Sequence, residues 1–184
     1  MRYLGHGGTV IVGSGHLVEQ LVVALPKCSL PVEVRVDNFD FEPAAECLVV
    51  CAAEVDLMVC EADPSSAARV LAFEPAAFWR KWAPSGVRFV YCSSGCVWDG
   101  PYRDDGGSFR GWDPPSPRSA HGHVRGLSEY LLGSVSKERL SILRPRLLFS
   151  PSLHPSNLLV RLLKYEKVIE SPESRTAGAW IVAL

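Results

Sequence analysis

The chain is 184 residues long, enough for one domain with a substantial core, and its 47% apolar and 21% charged residues are an ordinary globular balance. A formal net charge of −1 excludes the broad basic field that recruits nucleic acid or anionic lipid. The longest apolar runs, LVVAL and CLVVCAA, are too short to cross a bilayer, and the N-terminal MRYLGHGGTVIVGSG meets glycines before any signal-like stretch, so a cytoplasmic chain without a membrane partner is expected.

Taken in chain order, Thr9–Val12 (TVIV) is a continuous apolar run ending at Gly13, which predicts a buried strand. His16–Leu25 follows with Leu17, Leu21 and Leu25 at helical spacing. Pro31 precedes VEVRVD, a second strand, and Cys47–Ala53 (CLVVCAA) is a third. Asp63-Pro64 is a helix start, because Asp caps and Pro suits the first helical position. That helix carries Ala68, Leu71 and Ala72, and Pro75 should break or kink it before a second piece, Ala76–Trp82. Val87–Ser94 (VRFVYCSS) is a strand rich in β-branched and aromatic residues.

A long loop, Gly95–Ser119, then leads into a helix with Val124, Leu127, Ser128 and Leu131 on one face. Loops of that length inside a compact domain are functional or disordered. Leu140–Pro145 is another strand, His154–Lys164 a helix, and KVIES a short strand or turn. Alternation of strands and helices predicts an α/β fold, a parallel sheet with helices on both faces.

Ligands of such sheets bind beyond the carboxyl ends of the strands, where GSGH and CSSGCVWDG fall. Gly13, Ser14 and Gly15 form a turn that lets backbone approach a pyrophosphate at a helix N-terminus. The G-x-G-x-x-G pattern is incomplete, since Val18 stands at its third glycine, and an ordinary strand-to-helix turn would look the same. His121 and Arg125, at i and i+4, share a helical face, and Ser94 ends the strand before the loop. The blander alternatives are Ser93 and Ser94 capping a turn, His121 as an exposed helix start, and Arg125 paired with Glu129. His123 is turned off the face of His121. No C-x-x-C pair occurs among Cys28, Cys47, Cys51, Cys60, Cys92 and Cys96, so buried thiols are expected rather than a zinc ribbon or redox dithiol. The His121–His123 pair has no further ligands at useful spacing, and no metal is expected. Trp98 and Trp112 flank the acidic loop, as packing anchors or as platforms for a base or sugar.

The segments FVYCSSGCVWDG, GWDPPSP and HGHVRGLSEYLL, followed by LSILRPRLLFSPSLHPSNLLVRLLKYEKVIESPESRT, occur in the order that marks the extended short-chain dehydrogenase/reductase superfamily. The chain resembles most closely its dTDP-4-dehydrorhamnose reductases and the reductase part of nucleotide-rhamnose epimerase/reductases. The likeness covers most of Val87–Thr176 and is fainter, with deletions, over residues 9–62. It implies a Rossmann-like doubly wound sheet, with residues 1–184 as a single NAD(P)-binding domain. Because AWIVAL follows soon after SRT, a reduced or missing C-terminal substrate lobe is expected.

By position, Ser94 matches the family's catalytic Ser/Thr, His121 its Tyr and Arg125 its Lys, and Phe73 stands near a frequent Asn. The resemblance implies NAD(P)H-dependent reduction of a nucleotide-linked 4-keto-6-deoxysugar. Ser94 would orient the carbonyl, His121 supply the proton and Arg125 hold the cofactor ribose. A neighbouring Arg favours neutral His, and Arg itself cannot shuttle protons. Either NADP or NAD is compatible: Asp37 would contact a ribose hydroxyl, Arg35 a 2′-phosphate. The alternative is a pseudoenzyme, a binding or regulatory subunit that keeps the reductase fold, as the regulatory subunit of methionine adenosyltransferase does; a bare nucleotide binder is a third. The partners expected are a nucleotide-sugar and, for the oligomer, a homodimer or hetero-oligomer.

Overall fold

Apolar runs with β-branched residues make the strands here, and all of them lie in one parallel sheet. A computed structural model describes residues 8–25, 32–35, 39, 45–51, 57–98, 107–145, 150, 153–155, 157, 160 and 163–164. Its strands are β1 (Thr9–Gly13), β2 (Val32–Arg35), β3 (Cys47–Cys51), β4 (Arg88–Cys92) and β5 (Leu140–Leu143). They are ordered β2-β1-β3-β4-β5, with every pair parallel. The order reverses between β1 and β3, so the crevice for a ligand opens there, at the carboxyl ends.

Burial on both sides of the sheet explains why β1 and β3 carry no polar alternation. On one face, α1 (His16–Ala24) lays Leu17, Val18, Leu21 and Val22 over Ile11, Val49, Cys51 and Cys92. On the other, α4 (Glu74–Trp82) and α5 (Ala120–Val135) pack Phe78, Trp79, Trp82 and Leu132 against Val10, Leu48, Val50, Phe89 and Tyr91. Fully burying a side chain such as Phe89 is worth about 1.5–3 kcal/mol, so this aromatic face is a main source of stability.

The helical hairpin between β3 and β4 departs from the sequence expectation. A helix α2 (Leu57–Ala62), not anticipated, precedes Asp63. Asp63 does cap α3 (Pro64–Ala68), accepting from the Ser66 N–H at 3.0 Å, and the same bond holds its carboxyl below the usual range. Pro75 does interrupt the α-helix, but through a π turn before it rather than a clean break. A wider π turn, Arg69–Phe73, joins α3 to α4, and Pro75 sits in the first turn of α4. The physical reason lies at Leu71, whose carbonyl would take the N–H of residue 75 in an unbroken helix; proline has none. The Tyr91 hydroxyl donates to that carbonyl at 2.6 Å and the Ser128 hydroxyl at 2.7 Å. The defect thus ties this helix to both β4 and α5.

Several strands are shorter than their apolar runs. Val87–Ser94 yields only Arg88–Cys92, yet Ser93 and Gly95 still donate to the carbonyls of Leu143 and Pro145 at 2.7 and 2.8 Å. The chain therefore stays extended into the site. Leu140–Pro145 yields Leu140–Leu143; of the Cys47–Ala53 run, Cys47–Cys51 is strand and Ala52 and Ala53 lie outside the described residues. The expected loop after β4 begins with a single 3-10 turn, Gly95–Val97, and is fastened where it is described. Trp98 bridges to Ser116 and stacks on Phe109, and Arg144 lies over the Trp98 ring at 4.6 Å. Arg144 donates to the carbonyls of Gly111 and Asp113 and pairs with Glu129 at 2.6 Å, while Glu129 also accepts from Ser93. Of the expected helix His154–Lys164, the described residues His154, Pro155, Asn157, Leu163 and Lys164 are not helical and Val160 is, while the rest of it and all of KVIES lie outside the described residues.

Replacing Tyr91 by Phe removes the donor to Leu71 and a partner of Arg125 without opening a cavity. The expected loss is about 1–2 kcal/mol of unfolding free energy, read as a lower urea midpoint at unchanged slope.

Candidate functional site

Three stretches meet at the carboxyl ends of β1, β3 and β4: the glycine turn, the turn after β4, and the start of α5. Gly13 ends β1 with φ 135° and is the register partner of Cys51; a Cβ there would lie 2.0 Å from the Cys51 carbonyl oxygen. Only glycine permits that approach. Gly15, with φ 88°, occupies the N-cap of α1 and supplies no capping side chain. The first-turn N–H groups of α1 thus lack a side-chain cap, which suits an anionic oxygen. Val18, in place of a third glycine, is buried between α1 and the sheet, so its side chain fills the space that a glycine would close. Ser14 lies in this turn. Asp37 lies outside the described residues, and the side chain of Arg35 is likewise not described.

Ser94 is buried and caps the 3-10 turn, its Oγ accepting from the Cys96 N–H at 3.1 Å. The alternative expected of it, a turn cap, is therefore present. Its neighbour Ser93 donates to Glu129 at 2.6 Å.

Ser119 caps α5 by accepting from the Gly122 N–H at 3.0 Å, and Glu61 of α2 accepts from the Ala120 N–H at 2.8 Å. Gly122 explains the His-Gly-His pattern. A Cβ at this position would lie 2.3 Å from the Cys96 carbonyl oxygen and 2.7 Å from Pro117 Cβ. The helix start thus presses directly on the turn that Ser94 caps, with His121 beside the contact.

His121 and Arg125 do share a face. Arg125 Nε donates to His121 Nε2 at 3.4 Å, and Nη1 donates to the Tyr91 hydroxyl and the Cys92 carbonyl, each at 3.3 Å. The expected alternative of an Arg125–Glu129 pair is not formed, because Arg125 turns inward while Glu129 is taken by Arg144. Arg125 is only 8% exposed, and among the described residues its partners are a hydroxyl, a carbonyl and an imidazole. It is a buried cation with no carboxylate partner among the described residues.

Burial first, and then that guanidinium, push His121 down to about 4, against a smaller opposing pull from Glu61. His121 is therefore neutral at pH 7. Arg only donates, so Nε2 carries the lone pair and the proton sits on Nδ1. Nδ1 is buried and has no partner among the described residues. The site can hydrogen-bond to an oxygen and stabilise negative charge on it, but it holds no imidazolium to release a proton at pH 7. His123 is exposed, with its Nδ1 2.9 Å from the Ser119 carbonyl oxygen, so it is turned away as expected.

Sequence spacing missed Tyr91, Glu61 and Gly122, all of which act across elements. It also missed that Cys51 and Cys92, the last residues of β3 and β4, bring their Sγ atoms within 3.3 Å. The hydrogen bond to Cys92, and burial, push the Cys51 thiol up, so it stays protonated. Trp98 is a packing anchor, whereas Trp112 and Phe73 are exposed. A cavity of about 550 Å³ lined by Cys47, Arg88, Glu138 and Leu140 lies at the amino ends of β3, β4 and β5, away from this chemistry.

The family model for the RmlD substrate binding domain matches residues 16–172. No curated protein sequence matches the chain significantly. Among solved structures, a dTDP-4-dehydrorhamnose reductase from Clostridium acetobutylicum superimposes with a TM-score of 0.72 at 20% identity, over 85% of this chain and 58% of that one. The dTDP-4-dehydrorhamnose reductase of Bacillus anthracis, in complex with NADP, gives 0.68 at 18% over 86% and 60%. The UDP-rhamnose synthase of Acanthamoeba polyphaga mimivirus gives 0.71 at 14% over 89% and 64%. The chain thus spans about three fifths of the length of these neighbours, and they establish the Rossmann-like fold.

Two outcomes test this geometry. The unfolded chain protonates His121 near pH 6.5 and the folded chain only near 4, so stability present above 6.5 is lost as pH falls towards 4. His121→Gln should flatten that part of the urea-midpoint profile, by about 1 kcal/mol after solvent screening. Gly122→Ala should cost about 1–3 kcal/mol in the same assay, since backbone and Pro117 must shift to admit the methyl group.

Proposed function

We propose, taking as premise that this chain belongs to the RmlD substrate binding domain family, that it binds NADP or NAD and reduces the keto group of a nucleotide-linked 4-keto-6-deoxysugar. The carrying observation is the buried guanidinium of Arg125, unpaired with any carboxylate among the described residues, beside a neutral imidazole whose Nδ1 has no partner there. Such a pair suits an oxygen on which negative charge develops. Residues 1–184 would act as one NAD(P)-binding domain. Neighbours solved with NADP, with NADPH, and with UDP-glucose and NAD support this ligand class.

The residues fit a dinucleotide at the glycine turn, where Gly13 and Gly15 adopt φ values that side chains resist and α1 starts without a side-chain cap. Gly13, Ser14 and Gly15 would hold the pyrophosphate and Asp37 the ribose. When bound, the nicotinamide supplies a hydride. Ser94 would orient the keto oxygen, His121 Nδ1–H would donate a hydrogen bond to it, and Arg125 would offset the charge that grows there and contact the cofactor ribose. With His121 neutral down to about 4, the proton would come from water. General-acid help is worth about 10²–10⁴-fold, so turnover at pH 7 would be slow.

The low value at His121 also favours a second reading, a pseudoenzyme that binds the nucleotide and serves as a regulatory subunit, in a homodimer or hetero-oligomer.

Absorbance of NADPH and NADH should fall slowly when dTDP- or UDP-linked 4-keto-6-deoxysugar is added. His121→Phe should lower kcat about 100-fold, the typical cost of one oxyanion donor. In the wild type, kcat should show no inflection near pH 6.5 from His121. Saturable quenching of tryptophan fluorescence by NADP(H) without turnover would leave the binding reading; no quenching by any dinucleotide or nucleotide-sugar would sink both.

A further inference from the structure

A second group of side chains lies beside the glycine turn and takes no part in the chemistry above. His16 opens α1, Glu19 follows one turn later on the same helix, and His154 comes from a segment far away in sequence. One donor atom from each of the three residues lies within 4.8 Å of the other two. His154 Nε2 is 3.5 Å from Glu19 Oε1, and the rings of His16 and His154 stack with centroids 5.0 Å apart at 18°. We propose that His16, Glu19 and His154 bind one divalent transition-metal ion of the zinc class.

Distance, donor type and support agree. With bonds of about 2.0–2.1 Å, the donor atoms of a tetrahedral zinc site lie roughly 3.3 Å apart. The His154–Glu19 edge is already near that length. Two imidazoles and one carboxylate select Zn²⁺, Co²⁺ or Ni²⁺ over Mg²⁺ or Ca²⁺, which prefer all-oxygen shells. Three protein donors leave a fourth position for water. His16 is buried, and its Nε2 lies 3.2 Å from Ser150 Oγ. Ser150 is in turn fixed by Asn157, which donates to its carbonyl at 2.7 Å. Hydrogen-bonded residues behind a ligating histidine are what hold its ring in place. A solvent-exposed His–Glu pair alone contributes little and would not require a second, buried imidazole stacked against it. The site escapes a spacing search because its third ligand lies more than a hundred residues from the other two, and it goes beyond the sequence expectation of no metal. Bound there, the ion would clamp the segment carrying His154 to the start of α1.

The test uses the whole chain, dialysed against chelator and then titrated with ZnCl₂ or CoCl₂ by calorimetry. One ion per chain is expected, with a visible cobalt spectrum that lacks the near-ultraviolet thiolate band. His154→Ala and Glu19→Gln, both at partly exposed positions, should each weaken binding at least about 100-fold. Circular dichroism should show both variants folded, and zinc should raise the melting temperature of the wild type only. Absence of a stoichiometric ion, a thiolate band that assigns the metal to Cys51 and Cys92, or unchanged affinity in both variants would overturn the proposal.

Discussion

A single buried charge organises the carboxyl end of this sheet. Arg125 enters from α5 and reaches the ends of β4 through the Tyr91 hydroxyl and the Cys92 carbonyl. Among the described residues no carboxylate stands beside it and dipoles hold it, so each must be in place. Tyr91 is positioned by its own bond to Leu71, and Leu71 offers its carbonyl because Pro75 has no N–H to give. The proline defect, the π turn, the central strand and the guanidinium therefore form one chain of dependence. The charge reaches outward as well, since it helps keep the imidazole one turn away neutral.

The glycine turn and this charge belong to one crevice because of strand order. β1 and β3 are neighbours at the point where the order reverses, and β4 lies next to β3. Gly13 against Cys51, and Cys51 against Cys92, trace a continuous line along the strand ends. Parallel strands place those ends on one side of the molecule, so residues far apart in sequence become adjacent without any shared motif.

Much of the fold was legible because it rests on local signals. TVIV, CLVVC and RFVYC read as strands through apolar continuity and β-branching, and Asp63-Pro64 read as a helix start through capping chemistry. The His121–Arg125 contact was legible for the same reason, being one helical turn. Pro75 marks the interruption in the sequence, but its form as a π turn does not follow from propensity, which counts the missing donor and not a hydroxyl brought in by a strand 16 residues on. Helical spacing equally allows Arg125 as a surface partner of Glu129. Which of two faces a helix buries depends on Arg144 claiming Glu129 from β5's end, and helical spacing alone contains no term for that. The thiol pair and the His16–Glu19–His154 group depend on strand register and on a long return of the chain.

On the reading proposed above, a histidine–arginine pair stands where the resemblance places tyrosine and lysine, and this would alter more than two side chains. A lysine near a phenol can be moved by its surroundings, and the phenol can pass on a proton; arginine stays charged at every relevant pH. Placed one turn from an imidazole in a buried site, that fixed charge opposes the imidazolium that proton donation would require. Neither residue compensates for the other: the stronger Arg125 acts on a developing negative charge, the less His121 can act as an acid at neutral pH. What remains is a pair suited to holding an anionic or polarised oxygen. In the proposed function, the glycine turn and Ser94 would accompany electrostatic grip on an oxygen rather than proton transfer from His121.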